Sequence, residues 1–403
     1  MTPVALAIQP DSRCCVDQAV EGRPLRVLMV VEAFLGGVAT HVGNLSSALV
    51  GAGHEVHLLY SDLRADSNAR CQLASAARSG VKCWRLPVSH WPSFADLGSG
   101  TLLRRYVRRV GAFDVLHAHS TKAGFLLRLS ALGAGSSVVY TPHALMTMDP
   151  LLSSYKRRVA GFMERALAYV TDAVVAVSEG EAEHAVAIGI PARRVYVVPN
   201  GVDFTPPPRV GIRESIRFRW GVPADEFCVG FIGRFAPQKR PAMAVDAFGL
   251  LLSRTRRATL IMAGRGPQTE QVRERIEQLG LGASVRMLGE APVSDVLPGL
   301  DALMLTSAYE GFPYVLLEAM AYGVPVVSTA IGGTEMLVTD GKNGFIAESI
   351  QEFACSLTRL ARTPDLRIRM QLECLHRVSQ FSIERMTLKM LDVYRRTLVR
   401  SSS

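Results

Sequence analysis

The sequence has no uninterrupted apolar stretch near the roughly 20 residues that a transmembrane helix requires, although 48% of its 403 residues are hydrophobic. Its first 23 residues mix charged side chains with one short apolar piece, residues 4–8. That piece is too short for the core of a signal peptide. We therefore expect a protein that is not integral to a membrane, with a loose tail at residues 1–23 and a cytoplasmic location.

Cysteine pairs are also missing. The chain has seven cysteines, and apart from the neighbours Cys14 and Cys15 they are scattered, with no Cys-x-x-Cys pair. Neither a disulfide scaffold nor a zinc knuckle is indicated. Acidic residues are outnumbered, which leaves a formal net charge of +9. That charge attracts nucleic acid, anionic membranes or phosphorylated ligands without deciding between them.

The chain instead shows the rhythm of parallel sheets, because short apolar runs alternate with longer amphipathic stretches from Leu25 onward. A length of 403 residues suggests two domains. Three consecutive prolines at 206–208 exclude a helix, so we place the boundary near residue 205. The predicted strands of the first half are 26–31, 56–60, 82–86, 115–119, 137–141, 173–177 and 195–198. Those of the second half are 228–232, 259–263, 285–288, 302–305, 325–328 and 344–346.

The most informative stretch has two glutamates, Glu310 and Glu318, on either side of a turn that leads into a predicted helix. The first N–H groups of a helix lack intrahelical partners and carry the positive end of its dipole, so such a turn favours a bound phosphate. Pro313 suits the first helical turn. The carboxylates would flank the phosphate and accept hydrogen bonds from sugar hydroxyls, which indicates a nucleotide-sugar site. The predicted backbone contacts are Gly311, Phe312, Pro313, Tyr314 and Val315.

Taken alone, this pair could be two unrelated glutamates on a surface helix. However, the Glu-x7-Glu spacing, with Ser-Ala-Tyr before it and Ala-Met-Ala after it, resembles the signature of retaining glycosyltransferases of family 4. The resemblance covers nearly the whole chain from residue 25. It implies the α/β fold called GT-B, in which two doubly wound Rossmann-like domains face each other across a cleft. The domains would be 24–205 and 206–382, with a last helix at 383–403 that crosses back to the first domain.

Two cations follow the first strand of the second half. Arg234 comes directly after its terminal glycine and Lys239 five residues later, where both could neutralise a diphosphate. They could equally be solvated cations on a basic chain. Their positions match the diphosphate clamp that the resemblance implies, together with Glu310 on the sugar hydroxyls and Glu318 on the ribose.

A glycine pair, Gly36 and Gly37, opens a helix after the first strand, where backbone could approach a phosphate or sugar. It is not a complete dinucleotide-binding pattern, which disfavours an oxidoreductase. With His41 it is similar to the N-terminal glycine loop of the family. Asn200 begins a turn that matches the family's interdomain hinge, and Gly332-Gly333 resembles a glycine turn at the cleft rim.

Histidines stand at two strand ends. His143 follows the fifth strand and would point into the cleft. The resemblance implies that it touches the transferred sugar and helps to stabilise positive charge at the reacting carbon, although a lone histidine is more often structural. His117 and His119 alternate on the fourth strand, so their rings share one face. A catalytic metal would need a third convergent ligand, and nothing local supplies one. The chain also lacks Asp-x-Asp, so we predict neither a metal nor a cofactor.

Four arginines and an apolar stripe divide the segment 101–110 into two faces, as expected of a helix on an anionic surface, although most amphipathic helices cover a core. No aromatic ladder accompanies the arginines, so nucleic acid is ranked last. We predict a metal-independent, retaining transfer of a hexose from a nucleotide diphosphate sugar, UDP favoured, to a glycan or lipid-linked glycan in bacterial surface polysaccharide synthesis. Peripheral contact with the inner face of the cytoplasmic membrane stays open. The alternatives are a nucleotide-sugar epimerase and a catalytically silent nucleotide-sugar-binding protein.

Overall fold

The computed structural model describes residues 22–86, 88, 95–133, 135–203, 211–255 and 257–401. The predicted tail up to residue 21 and the proline run at 206–208 lie outside the described residues. The strands are β1 (Arg26–Val31), β2 (Glu55–Tyr60), β3 (Lys82–Arg85), β4 (Val115–His119), β5 (Ser137–Thr141), β6 (Ala173–Ala176), β7 (Val195–Val197), β8 (Phe227–Ile232), β9 (Ala258–Ala263), β10 (Val285–Gly289), β11 (Ala302–Leu305), β12 (Val326–Ser328) and β13 (Gly344–Ile346).

Helices cover both sheets. They are α1 (Gly36–Gly51), α2 (Ser67–Arg78), α3 (Ala95–Val110), α4 (Thr121–Ser130), α5 (Ser154–Leu167), α6 (Glu179–Ala187), α7 (Ile212–Trp220), α8 (Pro241–Arg254), α9 (Thr269–Gln278), α10 (Tyr314–Ala321), α11 (Thr334–Leu337), α12 (Ile350–Arg362), α13 (Pro364–Val378) and α14 (Ile383–Ser401). Within the described ranges, no helix combines the length and the apolar character that crossing a bilayer demands.

Both sheets are parallel, and in each the direction in which successive strands are added changes once. The N-terminal sheet has the order β3-β2-β1-β4-β5-β6-β7 and the C-terminal sheet the order β10-β9-β8-β11-β12-β13. In such sheets ligands bind beyond the carboxyl ends of the strands where the order reverses, here next to β1 and β4 in one half and β8 and β11 in the other. The sheet order therefore directs attention to the loops that follow these four strands.

The predicted strands are all present, and their bounds differ from the structure by at most one residue. Pro325 illustrates why they differ. It was predicted to begin β12, but proline lacks an N–H for the ladder, and the structure starts that strand at Val326, with the carbonyl of Pro325 accepting from Leu303 at 2.9 Å. The α/β class with two doubly wound halves is confirmed.

The last helix, α14, packs on the N-terminal sheet. Met386, Met390 and Tyr394 are buried in the same apolar cluster as residues of β1 and α1. The chain thus passes between the halves at the start of α14 as well as after β7. The two passes touch, because Val202 N–H donates to the Phe381 carbonyl at 2.9 Å.

Candidate active site

Three loops stack where the two halves meet. They are the turn at His143 and Ala144 after β5, the turn at Gly311 after β11, and the glycine pair that precedes α11. A Cβ at Gly311 would lie only 2.8 Å from the Ala144 nitrogen, and a Cβ at Gly333 only 2.7 Å from the Gly311 carbonyl oxygen. Only glycine permits this close approach. Because the His143 turn belongs to the N-terminal half and the two glycine turns to the C-terminal half, the site is assembled from both halves of the chain.

Lys239 and Glu310 form an ion pair at the reversal point of the C-terminal sheet. Lys239 ends a short 3-10 turn after β8, and its Nζ donates to Glu310 Oε1 at 2.5 Å. Their side chains are 21% and 12% exposed. The loops that carry them are tied together, because the Ala308 N–H donates to the Gln238 carbonyl at 2.7 Å. The predicted diphosphate lysine and the predicted sugar-side carboxylate are therefore neighbours on one wall.

Arg234 lies on the same wall with its guanidinium exposed and, among the described residues, without an ion pair or side-chain hydrogen bond. The pKa of Arg234 is lowered, first because the surrounding protein removes part of its water and second because Arg64 repels it. Arg64 belongs to the N-terminal half. Cations from both halves thus converge on the cleft, which favours an anionic ligand between them.

The turn after Glu310 opens α10. The helix begins at Tyr314 and Pro313 is its N-cap, one position earlier than the sequence predicts. The N–H groups of Tyr314 and Val315 have no partner within the helix and lie at its positive end. Phe312 is buried, and its carbonyl accepts from Asn200 Nδ2 at 2.8 Å. The turn therefore offers backbone N–H groups rather than side chains to a ligand.

Glu318 lies further along α10 and is partly buried, and its carboxyl group makes no hydrogen bond with any described residue. Because the surrounding protein withholds water from it, the pKa of this carboxyl is raised to about 8. A carboxyl group kept without a protein partner in a cleft is a candidate for contact with a ligand.

The glycine loop after β1 is engaged within the protein. The Gly36 N–H donates to Asp66 Oδ2 at 2.9 Å, and Asp66 also caps α2 through the Ala69 N–H at 2.7 Å. Gly37 lies against the Tyr314 ring, where a Cβ would come within 3.2 Å. The Tyr314 hydroxyl in turn lies 3.5 Å from His41 Nδ1. In this structure the loop packs the two halves together and leaves the Gly36 amide occupied.

His143 lies in the cleft on a turn of unusual backbone. His143 and Ala144 both have positive φ, 58° and 85°, which residues with a Cβ rarely adopt. The fully buried Glu181 holds this turn, because its Oε1 accepts from Ala144 N–H at 2.7 Å and Leu145 N–H at 3.1 Å. Burial raises the pKa of Glu181 to about 7.

Glu181 was not predicted as a site residue, although the sequence contains a signal for it. Ser178 and Glu181 have the Ser-x-x-Glu spacing of a capping box at the start of α6, and Ser178 Oγ does accept from the Glu181 N–H at 3.2 Å. The glutamate side chain extends past the helix end to the His143 turn instead of bonding its own N-cap.

Four histidines cluster beside this turn. The His117 and His119 rings share one face, 4.0 Å apart between centroids, and the fold adds His41 and His143. The sequence offers no third ring close to His117 and His119, and the structure supplies two from α1 and the β5 loop, which are distant in sequence. Burial lowers the pKa of all four imidazoles, that of His41 to about 4, so they are neutral near pH 7.

Two doubly wound halves, with cations and carboxylates at the strand ends of one and histidines at those of the other, define a GT-B glycosyltransferase. Two family models match: Glycosyltransferase Family 4 at residues 35–205, and Glycosyl transferases group 1 at residues 212–372. The chain belongs to glycosyltransferase family 4, and it is a transferase enzyme.

Curated relatives agree with this class. The chain is 28% identical over 392 residues to a D-inositol 3-phosphate glycosyltransferase of Actinosynnema mirum, covering 89% of this chain and 92% of that one. It is 27% identical over 295 residues to an Escherichia coli UDP-Gal:alpha-D-GlcNAc-diphosphoundecaprenol alpha-1,3-galactosyltransferase, covering 70% and 75%. Among solved structures, Anabaena HepE in complex with UDP and glucose superposes with a TM-score of 0.79 at 21% identity, over 91% of this chain and 98% of that one. This likeness supports the fold.

Proposed function

We propose that the enzyme transfers a hexose from a UDP-sugar to a glycan or lipid-linked glycan, with retention of configuration and without a metal. The observation that carries the proposal is the convergence of Arg234, Lys239 and Glu310 at the N-terminus of α10. The cations and the helix end would hold the diphosphate, Glu310 the sugar hydroxyls and Glu318 the ribose. The leaving diphosphate gains charge as the glycosidic bond breaks, so a fixed cationic cradle stabilises the transition state more than the bound donor.

Retention fits the placement of the charged groups. Glu310 is paired with Lys239, which suits it to bind hydroxyls rather than to attack the sugar. The acceptor would approach on the face from which the diphosphate leaves, and a leaving phosphate oxygen would take its proton. His143 lies across the cleft on a turn fixed by Glu181, where its neutral ring would contact the sugar. Closing the halves would exclude water that hydrolyses the donor.

The choice of UDP is supported by the names of relatives. Anabaena HepE was solved with UDP and glucose, and the Escherichia coli relative is named for a UDP-galactose donor. The same relative is named for a diphosphoundecaprenol acceptor, and another neighbour, WaaG, is described as involved in lipopolysaccharide biosynthesis. We place this enzyme in bacterial surface polysaccharide synthesis on that basis.

The acceptor side is basic. Two adjoining cavities, about 410 and 500 Å³, share Thr147, Arg157 and His184. The first reaches Glu335 of the C-terminal half, and the second continues under α5 to Arg158 and Arg165. A track of arginines leading out of the cleft suits an acceptor that carries phosphate.

Membrane contact would use α5 rather than the predicted segment 101–110. In α3 the apolar stripe largely covers the core, with Leu103 buried. On α5, by contrast, Tyr155 and Phe162 are 71% and 73% exposed, beside Lys156, Arg157 and Arg158. Exposed aromatic rings among cations are typical of a helix that rests on an anionic lipid surface. The enzyme would then work at the inner face of the cytoplasmic membrane.

The test is nucleotide release from a panel of UDP-, GDP- and ADP-sugars without added metal, with membrane extract as acceptor. We expect release from one donor. Glu310→Gln should lower turnover far more than donor affinity, whereas Glu318→Ala should weaken nucleotide binding. Equal and small effects of both substitutions on binding and turnover would remove the assignment.

The same assay separates the alternatives. A new nucleotide-sugar without free nucleotide would indicate an epimerase. Tight donor binding without release, with extract supplied, would indicate a silent binding protein. Anomeric analysis of the glycan product by NMR decides retention, since an inverted product contradicts it.

A further inference from the structure

Three imidazoles from separate elements meet at the floor of the N-terminal half. His41 lies on α1, His119 ends β4 and His143 follows β5. One ring nitrogen from each lies within 4.8 Å of those of the other two. His41 and His119 are fully buried. No sequence motif places these residues together, so their convergence is a product of the fold.

Two of these rings each have one nitrogen that makes no hydrogen bond with any described residue. His41 Nδ1 lies 2.9 Å from Asn200 Oδ1, an acceptor, so Nδ1 carries the proton and Nε2 bears a lone pair. His41 Nε2 and His119 Nε2 are buried and have no hydrogen-bond partner among the described residues. Buried polar atoms without partners are uncommon and suggest a ligand.

The spacing is close to that of a metal site. Metal–nitrogen bonds of about 2.0–2.1 Å set the nitrogens of a tetrahedral zinc site about 3.4 Å apart. His119 Nδ1 and His143 Nε2 are already 3.2 Å apart, in a hydrogen bond that a bound ion would replace. A small inward shift of the His41 ring would complete a three-histidine set. Asn200 would then be the outer partner that orients His41, as oriented metal-ligating histidines require.

We propose that His41, His119 and His143 bind a divalent transition-metal ion such as Zn²⁺, with one position open to the cleft. Imidazole nitrogens suit zinc, copper, nickel and cobalt better than magnesium or calcium. The ion is not the one that bridges a donor diphosphate, because the diphosphate cations lie on the other half. Bound metal occupies the His143 ring, and it therefore inhibits transfer. This second clause rests on the proposed function, and the binding itself does not.

Cobalt is the probe for binding. The full-length protein is freed of metal with a chelator and titrated with Co²⁺, while visible absorption is followed. We expect one equivalent to give the spectrum of a four-coordinate ion, and Zn²⁺ to displace it. His41→Asn and His119→Asn should each weaken binding by about a hundredfold, a loss typical of removing one ligand or its support. His376→Asn, on the exposed surface of α13, is the matched control and should bind like the wild type.

Folding of the variants is checked by circular dichroism. A second variant, His119→Cys, retains a ligand and should keep Co²⁺ binding while adding a thiolate charge-transfer band. Absence of a four-coordinate spectrum in the wild type, or equal binding in the wild type and in folded His41→Asn and His119→Asn, would overturn the site. Inhibition is read separately, as Zn²⁺-dependent loss of nucleotide release that a chelator reverses. If no donor is turned over, the cobalt titration still decides whether the metal site exists.

Discussion

The two halves of this enzyme share one sheet topology and differ in the chemistry at their strand ends. In the N-terminal half the groups beyond β1, β4 and β5 include three histidines that burial keeps neutral, beside an ion pair of Glu32 with Arg64. In the C-terminal half the groups beyond β8 and β11 are Arg234 and Lys239, which are exposed or partly exposed, and Glu310, which is largely buried and paired with Lys239. A neutral, dry wall suits hydroxyl-bearing sugars, whereas a charged wall suits a diphosphate. The fold thus sets where ligands lie, and the side chains set which part each half binds.

Asn200 joins the two walls. Its Oδ1 lies 2.9 Å from His41 Nδ1 and its Nδ2 donates to the Phe312 carbonyl at 2.8 Å. Asn200 lies where the chain passes between the halves, so one amide contacts a histidine of the neutral wall and the turn before α10 on the charged wall. Substitutions on one wall can therefore be compared with substitutions on the other by their effects on turnover and stability.

Removing the lysine from the charged wall should have the largest effect. Lys239→Met deletes a cation from the diphosphate cradle and leaves Glu310 without its partner, so we expect turnover to fall by about 10² to 10³, a typical cost for one lost electrostatic contact in a transition state. Steady-state nucleotide release measures it. Lys342→Met, at an exposed lysine of the same half, is the control. Comparable activity of the two variants would show that Lys239 is outside the cradle.

On the neutral wall, Glu181→Gln should act through the backbone. The amide NH₂ would face a backbone N–H where a carboxylate oxygen now accepts one, and the His143 turn would lose an anchor. We expect the free energy of unfolding to fall by about 1–3 kcal/mol, the cost of an unsatisfied buried group, with a smaller drop in turnover.

Chemical denaturation beside Glu183→Gln, an exposed glutamate on the same helix, measures this effect. Glu181→Asp keeps the carboxyl group but shortens the side chain, so its unfolding free energy shows whether the charge or the length of Glu181 matters. An unchanged midpoint in Glu181→Gln would mean that the positive φ values of His143 and Ala144 are held by other contacts.

The two walls also differ in how far they could be predicted from the sequence. Short apolar runs separated by amphipathic stretches predicted both sheets, because parallel strands that are buried on both faces appear in a sequence as nearly continuous hydrophobic runs. The charged wall was predictable too, since its residues follow two adjacent strands and lie within short motifs. The histidine cluster was not, because His41, His119 and His143 approach one another only through the strand order.

The sequence predicted that the glycine pair at 36–37 and Tyr314 contact the donor, but both have partners within the protein that no local sequence pattern reveals. The Gly36 N–H is bonded to Asp66, and the Tyr314 ring packs against Gly37 of the other half. The apolar stripe of α3 largely faces the core, which is the commoner role of an amphipathic helix, whereas α5 keeps two aromatic rings exposed.

The pH dependence of UDP binding sharpens the assignment of Glu318. Because the pKa of this carboxyl is raised to about 8, it is mainly protonated at pH 7. Ribose hydroxyls donate best to the ionised form, so UDP affinity should rise with pH, by up to about fivefold from pH 7 to 8, as the ionised fraction of the carboxyl grows. Calorimetric titration at several pH values measures it. Glu318→Gln should show only the slope that UDP itself contributes, and identical slopes in both proteins would separate Glu318 from the ribose.

The smallest expected effect is on lipid binding, and it tests whether membrane contact is confined to the N-terminal half. Phe162→Ser removes an exposed ring from α5, and a buried phenylalanine contributes about 1.5–3 kcal/mol, of which partial insertion would realise a fraction. We expect a several-fold loss of co-sedimentation with vesicles of anionic lipid, measured at fixed ionic strength. Phe218→Ser is the matched control, since Phe218 is 87% exposed on α7 of the other half. Both rings are largely exposed, but of the two only Phe162 lines the second acceptor-side cavity, which it shares with Arg157, Arg158 and Arg165. Equal losses would mean that exposure alone drives adsorption.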